Sequence, residues 1–325
     1  MDQFLSCDWG TTSFRIRLSD IQTGEVLAEE TSAEGIAQTF DRWQQAGGQE
    51  EERAAFYLDV VNRHIKTLEE KVNRSLKGTK LVISGMASAS IGVIELPYSE
   101  APLLVDGSGL KTAIVEATES FEHDVLIISG VKTADDVMRG EETQLIGCIE
   151  PGQTVKNELY IFPGTHAKHI TVIDDKVIGI KTYMTGELFA LLSQNSILKN
   201  NVEPGGEFEN KSFTKGVNDA VSANFLNSIF KVRTNQLFNI YSKIENYSYL
   251  SGLLIGVELK DIAASGADAI NLVCSGDLSR YYSIALFELL KRAGVKNIKT
   301  LSAGEADLSS VKGQLKIGKL SNFLA

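Results

Sequence analysis

The chain begins with apolar residues at every second position on both sides of a glycine turn. A run over 4–7 leads into Asp8-Trp9-Gly10-Thr11-Thr12, and the run 14–18 that leaves the turn repeats the alternation. Such period-2 spacing around a Gly turn predicts a β-hairpin. The same alternation predicts that Arg15 and Arg17 lie on an outer face of the sheet. Strand-like segments are therefore expected over 4–8, 13–19 and 25–29.

A second hairpin is predicted from the pattern of residues 159–173. One strand runs into Pro163-Gly164-Thr165-His166 and another leaves through 169–172. Turns of this kind present backbone N–H groups and hydroxyls, which can donate hydrogen bonds to phosphate oxygens. Lys168, on the departing strand, either reaches a phosphate or faces solvent. Because the strand–turn–strand unit occurs twice, two related lobes that close on a nucleotide are expected.

Helical and strand-like segments alternate through the rest of the chain, which favours an α/β fold with crossover connections. A helix is predicted around 53–76, and 185–262 is rich in helical patterns. Further short strands are predicted over 80–85, 125–130 and 270–274. Pro151-Gly152 marks a turn, so we expect a domain boundary there, with lobes over 1–150 and 151–325.

Composition and charge narrow the classes of function. The chain of 325 residues has 43% hydrophobic and 23% charged residues, as ordinary globular proteins do. A net charge of −10 argues against a nucleic-acid partner, which requires a basic face. Three cysteines without metal-ligand spacing are typical of buried thiols in a reducing compartment. No apolar run reaches the ~18 residues of a membrane span, so we expect a cytoplasmic protein with no membrane partner.

The first turn also carries a candidate metal ligand. Asp8 lies at the end of the incoming strand, and a carboxylate oxygen is the kind of ligand that Mg²⁺ requires. Asp-Gly turns are common, so an ordinary surface turn is the alternative interpretation. Glu141 and Glu142 follow Gly140 at a predicted helix start. From these residues alone, the interpretation is structural: two acidic side chains in a first helical turn stabilise the helix by complementing its dipole.

Four longer stretches of the sequence carry a specific resemblance to one protein family. They resemble the signature blocks of the 2-dehydro-3-deoxygalactonokinase family and occur in the family's order. Together with the first hairpin they cover the chain from residue 5 to about 305. The strings are Val137–Gly147, with Met-Arg-Gly-Glu-Glu-Thr-Gln, Phe162–Lys168, with Pro-Gly-Thr-His-Ala-Lys, Tyr183–Leu192 and Tyr249–Gly256.

The resemblance implies a fold and a set of site residues. The fold is α/β, with two ribonuclease-H-like lobes around a cleft, as in the superfamily of actin, the heat-shock chaperone ATPases and sugar kinases. Glu141 takes the proton of the acceptor hydroxyl, with Glu142 as the alternative, and Asp8 holds Mg²⁺. ATP is bound by Gly10, Thr11, Thr12, Gly164, Thr165, His166, Lys168, Gly252, Ser275 and Gly276. The acceptor is bound by Met86, Ser88, Pro97, Tyr98 and Glu187.

The implied reaction is transfer of phosphate from ATP to the C6 hydroxyl of 2-dehydro-3-deoxy-D-galactonate. Val93 stands where the family usually has a tryptophan, and this departure puts the identity of the sugar acid in doubt. A kinase for another 2-keto-3-deoxy sugar acid is therefore one alternative. A non-catalytic nucleotide switch related to actin is the other. A homodimer is compatible with the sequence.

Overall fold

The two predicted hairpins belong to two different structural units of the chain. The computed structural model describes residues 2–150, 152, 156–291 and 297–324. The first unit comprises 1–154, 175–180 and 305–325, and the second comprises 155–174 and 181–304. Helices and sheets occur in both units, which confirms the predicted α/β class.

The N-terminal part of the first unit contains ten strands and three helices within the described residues. In chain order they are β1 (Gln3–Trp9), β2 (Phe14–Asp20), β3 (Val26–Ser32), α1 (Ile36–Gln45), α2 (Arg53–Val72), β4 (Leu81–Gly85), β5 (Ser99–Glu100), β6 (Leu103–Leu104), β7 (Thr112–Val115), β8 (Val125–Ile128), β9 (Val131–Lys132), β10 (Val137–Met138) and α3 (Glu141–Cys148). The main sheet has the order β3-β2-β1-β4-β8-β7. A small sheet has the order β10-β9-β5.

The register of the main sheet places the ends of its central strands side by side. β1 pairs antiparallel with β2, from Gln3 opposite Asp20 to Trp9 opposite Phe14. On its other edge β1 pairs parallel with β4, with Trp9 opposite Gly85. Because parallel strands end at the same edge of a sheet, the first turn and the segment after β4 lie at one edge.

The elements that follow build the second unit. They are β11 (Asn157–Phe162), β12 (Ala167–Ile173), β13 (Lys176–Tyr183), α4 (Thr185–Ala190), α5 (Asn210–Ser222), α6 (Phe225–Leu237), α7 (Lys243–Leu259), β14 (Ala269–Leu272), α8 (Gly276–Leu290) and β15 (Ile298–Thr300). β13 begins within the first unit and ends in the second. β11 pairs antiparallel with β12 and parallel with β14, so each unit contains a hairpin with a parallel strand beside it.

The last helix, α9 (Ala303–Leu320), belongs to the first unit from residue 305 onward. The sequence had assigned all of 151–325 to the second lobe. The difference has a physical reason, because the buried side chain of Gln314 donates from Nε2 to the Cys7 carbonyl at 2.7 Å and to the Ser84 hydroxyl at 2.8 Å. These bonds fasten α9 to β1 and β4.

The face of the first hairpin that carries Arg17 is covered by α9. Arg17 is only 2% exposed, and its guanidinium pairs with Asp307 at 2.7 Å and with Glu29 at 2.5 Å. The prediction of an outer face for this side chain is therefore wrong, since a helix distant in sequence covers it. Arg15 is half-buried and also contacts Asp307, at 2.6 Å.

All three cysteines are free thiols, with Cys7 buried in β1 and Cys148 and Cys274 half-buried. Across the described ranges, none of the helices is both long enough and apolar enough to span a bilayer.

Candidate active site

The first turn is a four-residue loop, Gly10–Ser13, that joins the last paired residues of β1 and β2. The Gly10 N–H donates across the loop to the Ser13 carbonyl at 2.9 Å. The carbonyls of Gly10 and Thr11 accept the N–H groups at the start of α1 at 3.0 and 3.1 Å. Thr11 and Thr12 are exposed. The loop is thus held in place through its carbonyls, while its two threonines stay accessible to a ligand.

Asp8 lies next to this turn, as the penultimate residue of β1. It is half-buried, and burial raises the pKa of its carboxyl group, against the opposing effect of Arg15 and Arg17. The carboxylate accepts no hydrogen bond from any residue that the structure describes. Its oxygens therefore remain available to a cation.

The surroundings of Asp8 fit a Mg²⁺ ion that the protein binds through one carboxylate. No group of three or more His, Cys, Asp or Glu side chains that could hold a metal occurs among the described residues. Mg²⁺ keeps several waters and is commonly bound by one or two carboxylates together with substrate phosphates. A single carboxylate beside a candidate phosphate turn is consistent with that mode of binding.

The segment after β4 approaches the end of β1 closely. Gly85 has φ +88°, and a Cβ there would lie 2.6 Å from the Trp9 carbonyl and 3.3 Å from Asp8 Oδ1. Gly140, with φ +109°, faces Gly85 at 3.3 Å by the same measure. Glycine is the residue that adopts such angles without steric cost. These contacts bring Asp8 and the start of α3 to the same edge of the sheet.

Ser88 and Tyr98, both predicted acceptor ligands, are connected through Arg139. Arg139 Nη1 donates to the Ser88 carbonyl and to its hydroxyl, each at 2.6 Å. The guanidinium carbon lies 4.2 Å from the centre of the Tyr98 ring. Ser88 is fully buried, whereas Met86 and Tyr98 are half-buried and Pro97 is exposed. Sequence reasoning missed Arg139, although it lies within one of the four family strings.

Val93 is 2% exposed and belongs to the hydrophobic core of the first unit. Its small side chain is therefore accommodated by core packing.

Glu141 and Glu142 occupy different environments at the start of α3. Glu141 is half-buried, and its Oε2 accepts the backbone N–H of Arg139 at 3.1 Å. Glu142 is 1% exposed, and both of its oxygens accept the Gly140 N–H. Burial raises the pKa of Glu142 to about 7, and the negative charge of Glu141 adds to this shift. Of the two side chains, that of Glu141 is the more exposed.

The second turn is braced by α4 in the second unit. The Glu187 N–H donates to the Thr165 carbonyl at 3.0 Å, and the Glu187 carboxylate contacts His166 Nε2 at 2.5 Å. A Cβ on Gly186 would lie 2.6 Å from the Gly164 carbonyl. Thr165 and His166 are exposed. The predicted acceptor ligand Glu187 is thus paired with the predicted phosphate ligand His166.

Lys168 is placed differently from the rest of this turn. Its side chain is 8% exposed, and Nζ donates to the Thr182 hydroxyl at 2.7 Å. Of the two orientations considered from the sequence, the one toward solvent is wrong.

A cavity of about 160 Å³ opens beside the second turn, entirely within the second unit. Its wall is mostly aromatic and aliphatic, with one threonine, one serine and two glycines. The lining residues are Gly164, Thr185, Gly186, Phe189, Tyr247, Ser251, Leu254, Ile255, Leu278, Tyr281 and Tyr282. Flat apolar walls with a few hydrogen-bonding groups suit a heteroaromatic ring.

The three predicted ATP ligands outside the two turns, Gly252, Ser275 and Gly276, are distributed unevenly around this cavity. Gly252 faces α5, where a Cβ would lie 2.1 Å from the Phe213 carbonyl, so its position serves the packing of α7 on α5. Its neighbour Ser251 is the residue that borders the cavity. Ser275 and Gly276 are exposed at the N-terminus of α8, whose third residue, Leu278, lines the cavity.

A buried carboxylate that the sequence did not reveal supports two walls of the cavity. Glu258, on α7, is 3% exposed. Its oxygens accept the hydroxyls of Thr185 at 2.5 Å and Tyr282 at 2.7 Å, and contact His169 Nε2 at 2.9 Å. Thr185 and Tyr282 line the cavity, so Glu258 joins α4, α7 and α8 behind it. No spacing in the sequence connects residues so far apart.

Comparison with known proteins gives one consistent result. The family described as 2-keto-3-deoxy-galactonokinase matches residues 8–306. A probable 2-dehydro-3-deoxygalactonokinase of Rhizobium meliloti is 33% identical over 317 residues, covering 93% of each chain. The 2-dehydro-3-deoxygalactonokinase of Escherichia coli is 29% identical over 291 residues, covering 87% of this chain and 89% of its own.

A solved structure agrees with these relatives. The crystal structure of a Sinorhizobium meliloti protein, provisionally named a 2-dehydro-3-deoxygalactonokinase, has a TM-score of 0.77 at 30% identity. The match covers 96% of this chain and 95% of that one. The chain therefore belongs to the 2-keto-3-deoxy-galactonokinase family, as its motifs predicted.

Proposed function

We propose that this chain transfers the γ-phosphoryl group of ATP to the C6 hydroxyl of 2-dehydro-3-deoxy-D-galactonate, giving the 6-phosphate and ADP. The observation that carries the proposal is the position of Glu141, a half-buried carboxylate at the helix start inside a family string. Relatives that bear the name of this activity match 87% or more of the chain. They support the choice of acceptor.

ATP is assigned to the two turns and to the cavity of the second unit. In the first unit the phosphates are assigned to the turn of Gly10, Thr11 and Thr12, whose two exposed threonines can donate to phosphate oxygens. In the second unit they are assigned to the turn of Gly164, Thr165 and His166. The adenine ring takes the aromatic cavity, with Ser251 and the exposed turn Ser275-Gly276 at its border. Lys168 is assigned to phosphate as well, which requires its ammonium group to leave Thr182.

Mg²⁺ is assigned to Asp8, through its half-buried carboxylate. When bound, the ion neutralises charge that develops between the β- and γ-phosphates. The assignment agrees with the absence of a multi-residue metal cluster among the described residues.

Glu141 is the proposed general base for the acceptor hydroxyl. The Arg139 N–H donates to Oε2 of Glu141 at 3.1 Å and helps to orient the carboxylate. Glu142 serves as the alternative, because a pKa of about 7 also suits a general base at neutral pH. Its burial and its bonds to Gly140 disfavour direct contact with a substrate.

The acceptor is assigned to Met86, Ser88, Pro97 and Tyr98, with Glu187 on its hydroxyl groups. The first four lie in the segment that Arg139 connects to the start of α3. A homodimer remains a prediction. A cytoplasmic location is also a prediction, and the three free thiols support it, because the cytoplasm keeps thiols reduced.

The direct test measures ADP release from purified protein with a panel of sugar acids, followed by determination of the phosphorylated carbon. We expect turnover with 2-dehydro-3-deoxy-D-galactonate and a product phosphorylated at C6. Efficient turnover of another sugar acid, with none of this one, would overturn the choice of acceptor while leaving the kinase activity in place. ATP binding without any phosphoryl transfer would favour the nucleotide switch.

A further inference from the structure

The guanidinium of Arg139 is held by Ser88 and Tyr98, but its Nε has no hydrogen-bond partner among the described residues. Nη1 is committed to Ser88, at 2.6 Å from both its carbonyl and its hydroxyl. The Tyr98 ring lies below the guanidinium plane at 4.2 Å. An arginine stacked and anchored in this way has already lost the freedom of its side chain, so a planar anion binds it at low entropic cost.

The charge of Arg139 has no counter-ion in the described part of the chain. No carboxylate among residues 2–150, 152, 156–291 and 297–324 lies within 4.0 Å of its guanidinium nitrogens. Its Nε is buried and has no hydrogen-bond partner among the same residues. Buried donors and charges are normally paired, and a carboxylate binds two nitrogens of one guanidinium at once. A carboxylate ligand would supply what is missing.

The position of Arg139 relative to the proposed base fits an open-chain sugar acid. The Arg139 N–H donates to Glu141 Oε2, and the Arg139 side chain leads from there to Ser88. In the proposed acceptor the carboxylate and the reacting C6 hydroxyl are at opposite ends of the carbon chain. An acceptor with two such ends offers an anionic group to a guanidinium and a hydroxyl to a general base.

We infer that Arg139 binds the carboxylate of the acceptor and thereby determines the preference of this kinase for sugar acids over neutral sugars. The inference rests on the proposed function. The alternative is that Arg139 only fastens the Ser88 segment to α3. The two roles differ in one measurable respect: a carboxylate ligand affects acidic acceptors alone, whereas a fastening role affects every acceptor.

The test compares two acceptors in the wild type and in Arg139→Gln. One is 2-dehydro-3-deoxy-D-galactonate, and the other is its neutral analogue with a hydroxymethyl group in place of the carboxylate. We expect kcat/KM of the variant to fall about 10- to 100-fold for the acid, as for loss of a charged hydrogen bond, and to change little for the neutral analogue. Arg139→Lys should regain part of the preference. Arg63→Gln, an exposed arginine on α2, is the matched control.

The outcomes separate the inference from the proposed function. An equal loss for both acceptors in Arg139→Gln, or an unchanged preference for the acid, overturns the role of Arg139 and leaves the proposed function intact. A wild-type enzyme that prefers the neutral analogue overturns both. ADP binding by each variant, measured calorimetrically, shows that the nucleotide site is formed.

Discussion

The carboxylate of Glu142 accepts the backbone N–H of Gly140 with both of its oxygens, at 2.7 and 2.9 Å. Glu142 thereby closes the first turn of α3 beneath Glu141, and its carboxyl group is removed from solvent. Two adjacent glutamates thus take different positions, one buried and one half-buried. The division of roles between them is open to direct measurement.

Replacing Glu141 by glutamine should abolish most phosphoryl transfer and leave ATP binding largely intact. A positioned general base contributes ~10²- to 10⁴-fold in rate, and an amide cannot take the proton. Single-turnover kinetics measures the loss, and calorimetry with ADP measures binding. If Glu141→Gln turns over within a few-fold of the wild type while Glu142→Gln is inactive, Glu142 is the base.

Glu142 should make stability depend on pH in a defined direction. Its pKa is raised to about 7 in the folded protein, above the value of about 4.3 for an unfolded chain. The folded state therefore holds this proton more tightly than the unfolded state. The contribution to stability is fully present below about pH 4 and is lost as the pH rises through about 7.

Glu142→Gln isolates that contribution, because the amide stays neutral and its oxygen still accepts the Gly140 N–H. Relative to the wild type, the variant should gain about 3 kcal/mol between pH 4 and pH 8. Urea unfolding at both pH values measures the difference, and the other titrating groups cancel in it. A stability difference that does not change with pH would show that Glu142 titrates normally.

The pKa of Glu142 should also depend on the charge of Glu141. The charge of Glu141 is the second cause of the raised pKa of Glu142, after burial. In Glu141→Gln the pKa of Glu142 should therefore fall. ¹³C NMR of labelled glutamate carboxyls detects the change, and a midpoint identical to that of the wild type would show that the two groups do not interact.

Asp8→Asn should impair the use of Mg·ATP more than the use of the acceptor. The amide oxygen is a weaker ligand for Mg²⁺ than a carboxylate, so the concentration of Mg²⁺ that gives half-maximal rate should rise and kcat should fall. Titration of activity with Mg²⁺ at saturating acceptor measures both. An unchanged Mg²⁺ dependence together with an unchanged rate would reduce Asp8 to a turn residue.

Gly186→Ala tests whether α4 positions the second turn for ATP. The added Cβ would lie 2.6 Å from the Gly164 carbonyl and 2.8 Å from Thr165 Cα, so the turn has to shift. We expect KM for ATP to rise about 10-fold, the effect of ~1.4 kcal/mol in binding. Gly304→Ala is the matched control, because a Cβ there meets nothing within 4 Å. Equal KM values in the two variants would separate this turn from nucleotide binding.

The local parts of the fold were predictable because local physics determines them. Alternating side chains and a Gly turn specify the hairpin of β1 and β2, and the helix that starts after Gly140 is α3, as expected. Strands predicted over 80–85 and 270–274 appear as β4 and β14. In each case a run of neighbouring residues contains the whole signal.

What the sequence did not reveal depends on contacts between distant segments. Arg17 reads as an exposed residue of an alternating strand, yet Asp307 neutralises it from α9. The sequence predicted Gly252 as an ATP ligand, whereas in the structure this glycine allows α7 to approach α5. Glu258 and Arg139 gain their importance from partners on other elements. Periodicity along one segment carries no information about such partners.

In the proposed reaction this chain phosphorylates C6 of 2-dehydro-3-deoxy-D-galactonate with Glu141 as the base. The most direct measurement is ³¹P and ¹³C NMR of the product formed from ATP and this acid, by the wild type and by Glu141→Gln. We predict the 6-phosphate with stoichiometric ADP for the wild type, and at least ~100-fold slower formation for the variant. Phosphate at another carbon, or no product from this acid alongside efficient phosphorylation of an unrelated sugar, would rule out the proposed reaction.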